Sequence, residues 1–506
     1  MSIARKILSN TAAQLIGKAF MALLGIAVVK ICTNYLSVEE YGEYIMIYEF
    51  LAFFGIAADL GLFTIAVKEM AKDESQTEKI IGNVLSLRTI LVVITMVAAV
   101  IAVYLIPSYE NTRIPLGVAI ASVTIFLTIV NGTLASVLQA RLQMEYASIA
   151  MVLGKAASVV FMLYIVFFGF PNDKEMGFFM LLAAGIVGNL VMTFVTDYYV
   201  RKITKPKYRF DFDVWKNVFV QALPYGIALI LNTVYFRVNS MFISIIRGQE
   251  EVGVYAVAMR MLEQLTVLPL YFMNSVLPVL TKSLQLKTDK YKTIIKYSFD
   301  FLAAMAVPMA VGGIVLATQI IRIVSSAKYL TRIEDGFYGS DIALKILVLA
   351  VLFQFLNILF GFVLVALGKQ IKLLYINGAC VLFNVLVNFI VVPMYGFRGA
   401  AITSVLSELF ILVGTYIVAK RNLPFSISFK NLFKIILSAA VMGVVIYILE
   451  PLSAQYLKHW GVLLLIPIGM IVYTAMIFAT KTVNKEMLAL IKKTPPNESS
   501  HSQIQP

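Results

Sequence analysis

The sequence predicts an all-α, polytopic membrane protein of about fourteen transmembrane helices, built as two pseudo-symmetric six-helix lobes with two further helices and a polar tail. Three observations carry this reading. Of 506 residues, 60% are hydrophobic and 14% charged, against about 45–50% and about 25% in soluble domains. Mean hydropathy is +0.87, more apolar surface than one globular core can hold, so most of it must face lipid. Apolar runs of roughly the 20 residues that cross a bilayer recur along the chain, and a short motif recurs halfway.

The first six runs cover residues 7–31, 44–67, 84–106, 114–138, 148–170 and 177–200. The first follows a basic start but has no small-residue cleavage pattern, so it reads as a retained span. Six more follow at 218–246, 253–280, 297–320, 342–367, 373–392 and 399–419, then two at 432–449 and 460–479. The expected divisions are 1–205, 206–420, 421–480 and a polar tail at 481–506, where Pro495, Pro496 and Pro506 oppose regular structure. The N-terminus, every second loop and the tail hold most of the 42 basic residues. By the positive-inside rule both termini are cytoplasmic. The net charge of +14 is therefore topogenic, and the cluster Arg201, Lys202, Lys205, Lys207 and Arg209 orients the bundle instead of binding nucleic acid.

Catalysis finds little support. Cys32 and Cys380 lie in apolar runs, and His459 and His501 are isolated, so neither a metal cluster nor a nucleophile–base arrangement is expected, and no cofactor. No loop exceeds about 20 residues, the longest being 322–341. A membrane glycan polymerase or ligase, which needs a sizeable loop or domain outside the bilayer, is disfavoured.

The repeat is Glu39-Glu40-Tyr41-Gly42-Glu43-Tyr44 against Glu250-Glu251-Val252-Gly253-Val254-Tyr255. Each copy sits between the first two spans of a six-span group, as in transporters built from parallel repeats about an axis along the membrane normal. The longer run Asn34-Tyr35-Leu36-Ser37-Val38-Glu39-Glu40-Tyr41-Gly42-Glu43-Tyr44, followed by Asp59-Leu60-Gly61-Leu62, resembles the opening of the polysaccharide-transporter (O-antigen flippase) family. That family is a branch of the multidrug/oligosaccharidyl-lipid/polysaccharide exporter superfamily. Asn384, Asn388, Pro393, Tyr395-Gly396, Gly399-Ala400-Ala401 and Thr403 resemble its eleventh and twelfth helices. The likeness spans residues 1 to about 420. Asn239 departs from it, standing where many relatives carry an acid, which weakens the expectation of a cation site there.

The resemblance implies a multi-pass protein of the cytoplasmic membrane that flips a polyprenyl-diphosphate-linked oligosaccharide between leaflets by alternating access. The polymerase and glycosyltransferases of the same pathway are the implied protein partners. A peptidoglycan-precursor flippase and a cation-coupled multidrug antiporter are the alternatives within the superfamily.

Ionisable groups at membrane depth are costly and so are functional candidates. Arg88, Lys155, Asp197, Asp300 and Lys345 lie near span ends, where snorkelling accounts for them. Lys18, Asp59, Arg237, Glu263 and Glu408 lie deeper, and Lys30, Glu49 and Arg260 are intermediate. Lys18, Lys30, Arg237 and Arg260 are the candidate ligands for a diphosphate, since Lys supplies a point charge and Arg a bidentate fork. Asp59 and Glu263 are candidates for coupling transport to a proton or cation. Adding the repeat offset to Glu49 gives Arg260, which makes this pair the candidate gate: bridged when the cleft faces the cytoplasm, parted when it opens outward.

Overall fold

A computed structural model describes residues 3–286 and 288–482; the tail expected beyond 482 lies outside the described residues. Seventeen α-helices make up the described chain: α1 (Ile3–Tyr35), α2 (Val38–Asp59), α3 (Leu62–Lys72), α4 (Thr77–Tyr104), α5 (Ile114–Ala140), α6 (Met144–Tyr164), α7 (Lys174–Val200), α8 (Phe212–Arg247), α9 (Gln249–Leu265), α10 (Val267–Gln285), α11 (Lys290–Val315), α12 (Ala317–Val324), α13 (Ser340–Ala366), α14 (Gln370–Tyr395), α15 (Phe397–Asn422), α16 (Phe429–Leu457) and α17 (Val462–Ala479). Among the described residues, twelve segments are long and apolar enough to cross a membrane. The bent pair Leu229–Tyr235 and Arg237–Arg247, at 42°, adds another, and the segment Phe429–Ala479 contains two helices, α16 and α17, so fourteen crossings are accommodated.

Local chemistry explains the helix limits. Ser37 opens α2 with a capping box: its hydroxyl accepts the Glu40 N–H at 3.1 Å, and the Glu40 carboxylate accepts the Ser37 N–H at 2.8 Å, satisfying two of the donors a helix start leaves bare. The expected span 44–67 is broken where Leu60 (φ 41°) and Gly61 (φ 79°) adopt left-handed backbone, which closes α2 and starts α3. Hydropathy is blind to such a break because both sides of it are apolar. The basic loop after α7 is fixed to α4: Arg209 pairs with Glu78 at 2.8 Å and Asp211 with Lys79 at 3.1 Å. Lys79 holds the Asp211 carboxyl below the usual carboxylate range.

Packing groups the chain into two compact units. One comprises Met1–Leu265, Ala317–Ala350 and Gln370–Gly414; the other comprises Thr266–Leu316, Val351–Lys369 and the chain from Thr415. Within the first unit α2, which precedes the expected boundary at 205, packs on both α8 and α9, which follow it. The tightest point there is between the two copies of the motif. A β-carbon on Gly42 would collide with the backbone of Gln249, and one on Gly253 with the carbonyl of Val38. Only glycine lets these two helices approach so closely.

Two lysines join α1 to α12. Lys30 Nζ donates to the carbonyls of Ser325 (2.6 Å) and Arg322 (3.1 Å) at the end of α12. Lys328, just beyond α12, donates to the Leu36 carbonyl at the end of α1. Each cation sits at the negative end of the other's helix dipole. In the second unit α16 packs on α11 and α17, where Asn431 donates to a buried Asp300 at 2.7 Å and Tyr473 to the Ala304 carbonyl at 2.8 Å. Large apolar side chains stand exposed in both units, among them Phe168 at 78% and Tyr447 at 72%, as lipid-facing surface requires.

Candidate functional site

The first unit encloses a cavity of about 670 Å³, within the roughly 300–1,000 Å³ of ligand pockets. Its wall takes Met21, Gly25 and Val28 from α1, Tyr41, Tyr44 and Tyr48 from α2, Lys155 and Ser158 from α6, Asn189 from α7, Arg237 from α8, and Arg260 and Glu263 from α9. Gly154 on α6 and Gly188 on α7 also stand in this wall, and each would drive a β-carbon into the backbone of the other, so they let these two helices pack closely.

The charges gather at one side. Glu49, buried on α2, accepts from Arg237 Nη1 through both carboxylate oxygens, at 2.7 and 2.8 Å, and from Arg260 Nη2 at 3.0 Å. Glu263 accepts from Arg260 Nη1 at 2.8 Å, one turn along the same helix, and lies 3.6 Å from Arg237. Two guanidinium groups and two carboxylates therefore form a closed, neutral box. Lys155 stands in the same wall, and among the described residues it has neither an ion pair nor a hydrogen bond. That amine is a basic group of the cavity wall outside the box.

The seven residues singled out from sequence are thus divided. Arg237, Arg260, Glu263 and Glu49 meet. Lys18 is exposed on α1, on the face of Met21, Gly25 and Val28, three, seven and ten residues on, so it stands one turn beyond the cavity wall. Lys30 is occupied by the end of α12. Asp59 lies elsewhere, 2.6 Å from Arg88, which also donates to Thr133 at 2.9 Å and joins α2, α4 and α5. Arg88 does not snorkel: it is 3% exposed. Breaking one half of such a buried pair costs about 3–5 kcal/mol. Asp59→Asn should lower the unfolding temperature in detergent markedly, and an unchanged temperature would show that the pair bears no structural load.

Lys155 was missed because its nearness to a span end made it look interfacial. A signal existed, since Met151, Lys155, Ser158 and Met162 form one stripe along α6 and all line the cavity. A second polar cluster involves the motif asparagines. Asn388 donates to Asn239 at 2.6 Å and to Asn384 at 2.8 Å, Asn239 donates to Ser404 at 2.7 Å, and Asn384 donates to Ser407 at 3.0 Å. The Asn239 amide thus has neutral partners that join α8, α14 and α15. Beside them Tyr235 donates to Glu408 at 2.8 Å.

Many apolar helices around a polar cavity define a multi-pass membrane transporter. The chain belongs to the polysaccharide biosynthesis protein family, whose model matches residues 3–284, and is a member of the multidrug/oligosaccharidyl-lipid/polysaccharide superfamily. The MatE model also matches residues 224–390. The capsular polysaccharide biosynthesis protein CapF of Staphylococcus aureus is 22% identical over 356 residues, 70% of this chain and 84% of that protein. Among solved structures, the fold is similar to the lipid II flippase MurJ in an inward closed conformation (TM-score 0.72, 16% identity, covering 94% of this chain and 100% of that one). It is also similar to an inward-facing multidrug resistance MATE family transporter (TM-score 0.62, 15% identity, 82% and 98%).

Proposed function

We propose that the protein flips a polyprenyl-diphosphate-linked oligosaccharide, the repeat unit of an O-antigen, capsule or exopolysaccharide, across the cytoplasmic membrane with both termini on the cytoplasmic side. The observation that carries this reading is the unpaired Lys155 beside a neutral arginine–glutamate box. An arriving diphosphate meets a free amine first. It can then compete with Glu49 and Glu263 for Arg237 and Arg260, so binding loosens the contacts between α2, α8 and α9. Lys18, one turn beyond the wall, extends the cationic path along α1. Membership of the polysaccharide biosynthesis family supports a saccharide cargo, and a polymerase and glycosyltransferases are the protein partners such a cargo implies.

The test is translocation in proteoliposomes of the lipid-linked oligosaccharide pool from cells that make the protein. A charge-assisted hydrogen bond is worth about 1.5–3 kcal/mol, so Lys155→Gln should weaken the apparent affinity about ten- to a hundredfold, and Lys155→Arg should retain most of it. Wild-type transport by Lys155→Gln, or transport of lipid II in preference to the oligosaccharide pool, overturns the reading.

Of the two coupling candidates, Glu263 lines the cavity and Asp59 does not. Glu263 is therefore the proposed coupling carboxylate. Glu263→Gln should transport without responding to an imposed ion gradient or membrane potential, and a wild-type response would exclude it.

A further inference from the structure

The motif at the start of α9 borders a second cavity in the first unit, of about 260 Å³, at the end of the helices where Gly42 and Gly253 meet. By the proposed topology this end is outside the cell. One wall is held in place. Glu251 accepts from Arg247 at 2.9 Å and from the Phe397 N–H at 2.7 Å, and Ser340 anchors the neighbouring loop by donating to the Val254 carbonyl at 2.7 Å. The groups in front of that wall have their hydrogen-bonding capacity free. Arg398 stacks on the Tyr338 ring at 3.9 Å, a contact that uses the guanidinium face and none of its five N–H donors. Glu250 lines the same cavity, and among the described residues neither it nor Arg398 has a hydrogen bond or ion pair. Tyr395 and Tyr338 are 51% and 43% exposed.

The internal repeat supplies the comparison. In the first copy the corresponding corner is sealed, because Arg113 bridges Glu40 at 3.2 Å and Glu43 at 3.1 Å. In the second copy Val254 replaces the second carboxylate, and the corner stays open. Aromatic faces flanked by a free donor fork and a free acceptor suit a sugar ring, whose C–H face stacks on a ring while its hydroxyls bridge Arg and carboxylate. The size, just below the roughly 300 Å³ at which ligand pockets begin, fits a single ring.

We propose that this cavity is a glycan subsite that holds one sugar of the cargo between Tyr395, Arg398 and Glu250 at the outer end of the transport path. The inference rests on the flippase reading, since it takes the cargo to be a glycan. It differs from the central cavity in engaging sugar and not diphosphate.

The probe is the free oligosaccharide released by mild acid from the same lipid-linked pool, which lacks the lipid and the diphosphate. Saturation-transfer NMR with the full chain in nanodiscs should show its binding. Tyr395→Ala and Arg398→Gln should each weaken it at least tenfold, and Tyr395→Phe, which keeps the ring, should retain it. Wild-type transport of the lipid-linked form alongside no binding of the free oligosaccharide sinks the subsite and leaves the flippase reading intact. Binding of the free oligosaccharide without transport of the lipid-linked form sinks the flippase reading alone. Equal binding by Tyr395→Ala and wild type makes these tyrosines membrane-interface anchors and overturns the proposal.

Discussion

Alanine at Gly42 or at Gly253 is expected to destabilise the protein by about 3 kcal/mol, the upper part of the range for overpacking. Each new methyl would collide with backbone, the Gln249 peptide in one case and the Val38 carbonyl in the other. No side-chain rotamer can relieve a clash with backbone, so α2 and α9 must separate. Because the two glycines face one another, the effects should not add. Once one alanine has parted the helices, the second costs little, and a double-mutant cycle should show strong coupling. Thermal unfolding in detergent reads all three variants, and additive losses would mean that the two sites are independent.

Glu49→Gln is expected to be nearly as severe. It removes the negative charge that two arginines share and turns one acceptor oxygen into a donor, leaving Glu263 as the carboxylate for both, 3.6 Å from Arg237 and 2.8 Å from Arg260. Loss of one partner from a buried ionic group costs about 3 kcal/mol or more, so both the unfolding temperature and transport should fall. The box also predicts the result of a charge swap. Glu49→Arg should abolish transport, and adding Arg260→Glu should restore little of it, because the new arginine would face Arg237 and the new glutamate Glu263. Full restoration would show that Glu49 and Arg260 act as an isolated pair. Retention of wild-type stability by Glu49→Gln would remove the box from the account of how α2, α8 and α9 are held.

How far the sequence could be read depended on the kind of information involved. Spans were legible because burial in lipid is a property of composition, and the repeat put Glu49 opposite Arg260 because a fixed offset carries three-dimensional information. Arg237 has no such cue. The residue one offset before it is Ile26, so nothing in the chain links Arg237 to the carboxylate it shares with Arg260. The engagement of Lys30 was equally hidden, since its carbonyl partners lie 292 and 295 residues away and a backbone acceptor leaves no trace in side-chain identity. Depth along a helix was readable for Lys155, but which side of the helix it occupied required the stripe it shares with Ser158.

Glu49 and Arg260 occupy equivalent positions of the two repeats and meet at 3.0 Å. Two identical chains paired about a two-fold axis place each residue opposite its own copy wherever the axis passes. At such a point a homodimer can set acid against acid or base against base, never acid against base. Gly42 facing Gly253 obeys that restriction, and could exist between identical partners. A glutamate facing an arginine at equivalent positions cannot. Only halves whose sequences are free to differ can set acid against base at equivalent positions, and the ion box is therefore a feature that divergence of the two repeats makes available.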